Sequence, residues 1–294
     1  MSSRSLRLAA DPAGSTSIRH AMDDVGYARP MWLSDALAVF GILLVTAIIA
    51  WDRFRYDEWL TRTDLLAAYV PFYAFLGEQL RSFDLPGWNP HQFAGITFVG
   101  DPQSGWMYFP AMFFFTILPP LVAMKAVVAF QIAFAALSMY AFARVLGMGI
   151  AGSLVGTVVF AFGANIFQNT WCCTIWSQAS TWVPLSLLGV ELGLRRSSWT
   201  GRAVGWGLAG IGLSQILAGW LGQGAYNAFL LVGGYLAYRA LISPPVGGPA
   251  RVGERFRLFV VSFVAIFGLG LGLAAAGLLP RFDANQYTNL AGGL

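Results

Sequence analysis

Apolar residues run along this chain in long blocks, and polar residues gather in the gaps between them. Seven blocks approach the roughly 20 residues that a helix needs to cross a bilayer. They are Leu33–Trp51, Leu121–Ala143, Ala151–Phe167, Trp182–Leu194, Ala203–Gly219, Ala225–Leu241 and Phe256–Leu279. The fourth is short as bounded and is expected to begin nearer Trp176. The block Met107–Leu118 is also apolar, but Pro119 and Pro120 end it after about a dozen residues, a length that suits an interfacial or re-entrant helix. Between the first two spans, Leu65, Tyr69, Phe72, Leu76 and Leu80 recur at helical spacing, with Glu78, Gln79 and Arg81 on the other side. Pro71 either starts that helix or kinks it. An amphipathic helix of this kind is expected to lie flat among lipid headgroups and hold the neighbouring loop against the membrane surface.

Composition agrees with this pattern. The chain of 294 residues is 57% hydrophobic and 11% charged, against about 25% charged in a typical soluble domain. The expected fold is therefore all-α: a polytopic bundle of about seven transmembrane helices, residues 33–279, with a large structured first outer loop over 52–106. The net charge of +4 comes from arginines placed around the spans, with Lys125 the single lysine. There is no basic tract, and no nucleic-acid partner is expected. Residues 1–32 read as a polar tail without a cleavable signal, and the first span as an uncleaved anchor. Cys172 and Cys173 are adjacent, which suits neither an ordinary disulfide nor a zinc site.

Arginine placement sets the orientation. With the amino terminus cytoplasmic, Arg144, Arg195, Arg196, Arg202, Arg239, Arg251, Arg255 and Arg257 all fall inside. The 52–106 loop is then outside and holds Asp52, Asp57, Glu58, Asp64, Glu78, Asp84 and Asp101, half of the 14 acidic residues. Asp283 lies in the outer segment 280–294.

The stretch Gly87–Pro110, GWNPHQFAGITFVGDPQSGWMYFP, has too many helix breakers for a span and too many aromatics for a disordered linker. It reads as a compact loop of the kind on which sites are built. Asp64 either caps the helix that follows or acts as a general base beside Arg62. Asp101, before Pro102, is either a turn former or a second carboxylate for a sugar hydroxyl or a divalent cation shared with Asp64. His91 has no companion ligand and reads as a loop histidine. Trp88, Trp106 and Tyr108 are either interfacial aromatics or stacking surfaces for a sugar ring. Lys125 either snorkels to the surface or faces a lipid phosphate. Polar clusters at Gln168–Gln178 and Gly219–Gly224 suggest one shared outer cavity. No phosphate-binding loop, dinucleotide fingerprint, nucleophile elbow or zinc-protease helix is present, which argues against nucleotide-dependent chemistry.

Several of these segments are familiar together. Thr63-Asp64-Leu65, Tyr69-Val70-Pro71-Phe72, Leu85-Pro86-Gly87-Trp88-Asn89-Pro90 and Gly100-Asp101-Pro102-Gln103-Ser104-Gly105, with Tyr108 and Pro110, resemble the first outer loop of the bacterial YfhO-like membrane proteins, of the GT-C superfamily of integral-membrane glycosyltransferases. Leu278-Leu279-Pro280 followed by Leu290-Ala291-Gly292-Gly293-Leu294 resembles the start of a later loop of that family. The resemblance implies a GT-C-like fold in the bacterial cytoplasmic membrane, a polyprenyl-phosphate-sugar donor and a cell-envelope acceptor at the outer face. By position it gives the catalytic role to Asp64, with Asp101 second, and a substrate-binding surface to Arg62, Arg81, Trp88, Asn89, His91, Gln103, Tyr108 and Lys125. Family members are longer, so it also implies that this chain is an N-terminal portion. The rival expectation is a transporter or flippase-like protein for a lipid-linked substrate. Spans poor in central charge and the lack of a repeat count against it.

Overall fold

A computed structural model describes residues 32–56, 64–92, 94–170 and 174–287. Ten α-helices and one short hairpin follow in chain order among these residues: α1 (Trp32–Arg55), α2 (Val70–Arg81), β1 (Trp88–Asn89), β2 (Ile96–Thr97), α3 (Phe109–Ile117), α4 (Pro120–Val145), α5 (Ile150–Ala161), α6 (Thr174–Thr181), α7 (Val183–Arg195), α8 (Trp199–Gly219), α9 (Gln223–Ala237) and α10 (Val252–Asn285). Wider π-helical turns precede α2 (Leu65–Tyr69) and extend α5 (Ala164–Gln168) and α9 (Tyr238–Ile242).

Among the described residues, four segments are long and apolar enough to cross a membrane: Trp32–Trp51, Pro120–Val145, Ile150–Gln168 and Val252–Asn285. The other three expected spans fall on α7, α8 and α9. These are helical, with 13, 21 and 15 residues. Ahead of the fourth block lies a separate helix, α6, which ends at Thr181; α7 begins at Val183, with Pro184 in its first turn.

Proline and glycine explain most of the boundaries. Leu118 is extended, as a residue before proline must be, so α3 stops there and α4 starts at Pro120. Ser198 caps α8 by accepting a hydrogen bond from the Gly201 amide. Helices α7 and α8 meet at backbone contact distance: a Cβ on Gly205 would lie 2.3 Å from the Gly193 nitrogen, and one on Gly189 would lie 2.4 Å from the Ala209 nitrogen. Small residues at fourfold spacing allow this approach.

Two ion clusters pin one end of the bundle. Asp35 of α1 accepts from Arg144 Nε at 2.7 Å and from the Tyr140 hydroxyl at 2.6 Å. Glu191 of α7, fully buried, accepts from Arg195 Nε at 2.7 Å, from Arg239 Nε and Nη2, and from the Tyr235 hydroxyl at 2.9 Å. Phe142 meets Tyr235 edge-on with centroids 5.7 Å apart, so the clusters are neighbours. The loop between α2 and α3 lies at the opposite end.

Helix α2 corrects one expectation. Its burial is not confined to the single expected stripe. Val70, Phe72, Tyr73, Phe75, Leu76 and Gly77 are all buried, in contact with α3, α4 and the loop. Two apolar positions off the expected stripe, Tyr73 and Phe75, find partners in Phe115 and Phe98 respectively. Pro71 occupies the first turn, where its missing N–H costs nothing.

Candidate functional site

The 84–108 loop is folded by its own polar residues. Asn89 is 1% exposed; its Oδ1 accepts from the His91 amide at 3.0 Å and its Nδ2 donates to Gln92 Oε1 at 3.3 Å. These bonds shape the turn between β1 and β2, in which Gly95 takes φ +115° beneath the Trp88 ring. A side chain there would collide with the indole and would strain the backbone. Phe98, fully buried, packs against Phe72 and Phe75 and anchors the hairpin on α2.

The next turn is organised by Asp101. Its Oδ1 accepts from the Gln103 amide at 2.6 Å, and its carbonyl accepts from the Ser104 hydroxyl at 3.0 Å. Gly105, at φ +74°, then lets the chain pass the Tyr73 ring, which an added Cβ would approach to 2.4 Å. The turn former expected from Asp-Pro is therefore present. Burial nevertheless raises the Asp101 pKa above the ordinary carboxylate value, opposed by the Gln103 N–H and by the positive charge of Arg281.

Arg281 comes from the far end of α10. It is 3% exposed, and it donates to the carbonyls of Leu217, Ala218 and Trp106, each at 3.1 Å. Its position follows from Pro280. A proline inside a helix leaves the carbonyl four residues earlier without its usual donor, and here the Trp106 indole N–H takes the Ala276 carbonyl at 3.0 Å. Arg281 also lines a cleft of about 280 Å³ with Gly100, Pro102, Leu221, Gly222 and Phe282. The residues flanking Asp101 thus form one wall of that cleft and the guanidinium forms another.

Polar groups continue inward from the loop. The Tyr69 hydroxyl donates to Gln103 Oε1 at 3.3 Å, and Gln178 Nε2 donates to the Tyr73 hydroxyl at 2.6 Å. Ser177 donates to Gln131 Oε1 at 3.0 Å. Tyr108 is fully buried, and the Trp182 and Gln131 N–H groups face its oxygen without reaching hydrogen-bond geometry among the described residues. Burial pushes the phenols of both Tyr73 and Tyr108 well above the ordinary tyrosine pKa, so both are neutral hydrogen-bonding groups.

The expected site residues are only partly gathered here. Asp101 and Gln103 meet in one turn, and Tyr108 lies beneath it. Asp64 is exposed at the start of the π turn, makes no capping hydrogen bond, and shares no hydrogen bond with Asp101. Arg62 lies outside the described residues, as do Trp171, Cys172 and Cys173. Arg81 is used elsewhere: it donates to the carbonyls of Phe115 at 2.9 Å and Thr116 at 3.4 Å, closing the end of α3. Asn89 is turned inward. Trp88, 60% exposed, and His91, edge-on to Phe75, lie on the hairpin, and Lys125 is half-buried near the start of α4. The divalent cation expected at Asp64 and Asp101 does not fit this donor set. The charge beside Asp101 is already cationic, and among the described residues no three His, Cys, Asp or Glu side chains converge.

Sequence reading passed over Arg281 and Tyr73, and took Gln178 only as one end of a polar cluster. For Arg281 a signal existed: it is the one arginine beyond Lys125 that the charge asymmetry leaves on the outer side, and it directly follows a proline at the end of an apolar run. No family model matches the chain, and neither does any curated protein or solved structure.

Proposed function

We propose that the protein is an integral-membrane glycosyltransferase that moves a monosaccharide from a polyprenyl-phosphate donor to an acceptor hydroxyl at the outer face of a bacterial cytoplasmic membrane. In this reading α7, preceded by α6, and α8 and α9 complete a seven-span, GT-C-like bundle with its amino terminus inside. The observation that carries it is the placement of a half-buried carboxylate, Asp101, next to a buried guanidinium, Arg281, at a cleft beside a folded aromatic loop.

The chemistry needs both charges. The acceptor oxygen attacks the anomeric carbon as the bond from that carbon to the phosphate oxygen breaks. The hydroxyl proton passes to a carboxylate, and the polyprenyl phosphate leaves as an anion. In this reading Asp101, held by the Gln103 amide, receives the proton. Arg281, fixed by three carbonyls, meets the developing phosphate charge without reorganising. Exposed Trp88 supplies a face for the sugar ring.

A second reading, a carrier or flippase-like protein for the same lipid-linked substrate, draws on the helix breaks at Phe162–Gly163 and Trp182, since discontinuous helices mark transporter sites. One experiment separates the two. The full chain in nanodiscs is offered radiolabelled polyprenyl-phosphate sugars and an envelope extract, and label is followed in both lipid and water-soluble fractions. Label leaving the lipid for a new product supports transfer; donor bound and recovered intact supports the carrier.

A further inference from the structure

At the end of the bundle opposite Asp101, a second cavity of about 280 Å³ opens between the starts of α8 and α10. Its lining divides in two. Arg202, Glu254 and Arg257 form a charged floor, and Trp199, Leu258 and Val261 form an apolar wall on the side that continues along the helices. The site is held in shape. Arg202 Nε is fixed on the Arg196 carbonyl at 2.8 Å, while its two terminal nitrogens make no hydrogen bond among the described residues. The loop closing the cavity at Pro249 is fixed by Arg255, which donates to the Pro249 carbonyl at 2.9 Å and to Leu241 at 3.3 Å. Trp199 stands edge-on to Trp206 with centroids 5.7 Å apart, an aromatic set where interfacial tryptophans sit. Glu254 is engaged only loosely, by Arg251 at 3.9 Å.

A cavity with a charged floor and an apolar wall, at the end of a membrane-crossing helix, matches a lipid lying with its headgroup down and its chains along the bundle. Two guanidiniums and one carboxylate give the lining a net charge of one positive unit, the complement of a monoanionic phosphodiester. Glu254 then has a task that a purely basic pocket would lack: it accepts a hydrogen bond from a headgroup hydroxyl and repels a dianionic phosphomonoester. We propose that this cavity is a binding site for a monoanionic, hydroxyl-bearing phospholipid of the phosphatidylglycerol class. The proposal is independent of the chemistry at Asp101, which lies at the other end of α10.

The test uses the delipidated full chain in detergent, titrated with phosphatidylglycerol or phosphatidylcholine and read by native mass spectrometry and thermal unfolding. Wild type retains phosphatidylglycerol at least about tenfold better than phosphatidylcholine, a preference that Arg202→Gln and Arg257→Gln each reduce and the double variant abolishes. Glu254→Gln strengthens phosphatidic acid more than phosphatidylglycerol and so narrows the preference between them. Unfolding midpoints without lipid serve as the control on folding. Equal retention of the two lipids by wild type would overturn the proposal whatever the variants do. So would an unchanged preference in a folded double variant.

Discussion

Trp106 and Arg281 hold one another in place. The guanidinium donates to the Trp106 carbonyl at 3.1 Å, and the Trp106 indole donates at 3.0 Å to Ala276, the carbonyl that Pro280 leaves without a helical donor. The carbonyl that Pro280 frees in α10 and the loop that reaches it are therefore one device, and it places a cation beside Asp101. Removing the guanidinium with Arg281→Met strands three buried carbonyls and costs about 3 kcal/mol of stability. Trp106→Phe costs about 1–2 kcal/mol. The decisive comparison is a double-mutant cycle read by thermal unfolding. With Pro280→Ala in the background, residue 280 regains an N–H for Ala276, and Trp106→Phe then costs less than it does in the wild type. Equal costs in the two backgrounds would contradict the relationship.

Asp101 predicts a pH dependence with a definite sign. Its folded pKa is raised, so the folded state holds this proton more tightly than the unfolded chain does. Its contribution to stability is present below the unfolded carboxylate value and is lost as pH rises through the raised folded value. Ionised Asp101 is thus a cost, and Asp101→Asn, whose amide oxygen can still accept from Gln103, unfolds at neutral pH no earlier than wild type. Transfer activity runs the other way. It climbs as the carboxyl ionises, so the acid limb of the rate profile lies above the ordinary carboxylate range. Differential scanning and a pH–rate series check the two halves separately.

Glu191 is fully buried and accepts from two arginines and a tyrosine. Glu191→Ala leaves Arg239 facing apolar helix without its partner, and about 3–5 kcal/mol of stability is lost. Glu191→Gln retains the acceptor oxygen for Tyr235 and loses less. Urea or thermal unfolding in detergent ranks the two, and a milder Ala variant would show that the cluster is hydrated rather than structural.

Gly77 sets the spacing of α2 and α3. A Cβ there would lie 2.1 Å from the Phe115 carbonyl oxygen, the acceptor that Arg81 also uses. Gly77→Ala separates the two helices and costs about 1–3 kcal/mol. Arg81→Ala, on the exposed side of the same contact, costs less and leaves the helix spacing intact. Thermal midpoints of the two variants order them.

Much of the helical framework was legible because apolar run length and proline are local signals. The stop at Leu118 and the restart at Pro120 both follow from them. The burial of α2 was not legible. Its stripe of Leu65, Tyr69, Phe72 and Leu76 marks one face, but Tyr73 and Phe75 are covered only because Phe98 and Phe115 arrive from elsewhere in the chain. The same holds at the site. Asp101 could be picked out as a carboxylate in a Pro- and Gly-rich loop, whereas its partner lies 180 residues further on and is brought there by the far end of α10. Arg81, polar and near the loop, is taken by a carbonyl that no local pattern encodes, whereas Asn89 is taken by the amide two residues on, the local turn that Asn favours.

The central claim is that Asp101, and not Asp64, is the working carboxylate, and it is tested by comparing Asp101→Asn with Asp64→Asn in the nanodisc transfer assay. Both variants are first matched to wild type for folding and donor binding. Transfer falling at least about 100-fold in Asp101→Asn with near-wild-type rates in Asp64→Asn is the result expected from a buried carboxylate beside Arg281. Transfer surviving in Asp101→Asn and lost in Asp64→Asn would contradict it and return Asp101 to the turn that it shapes.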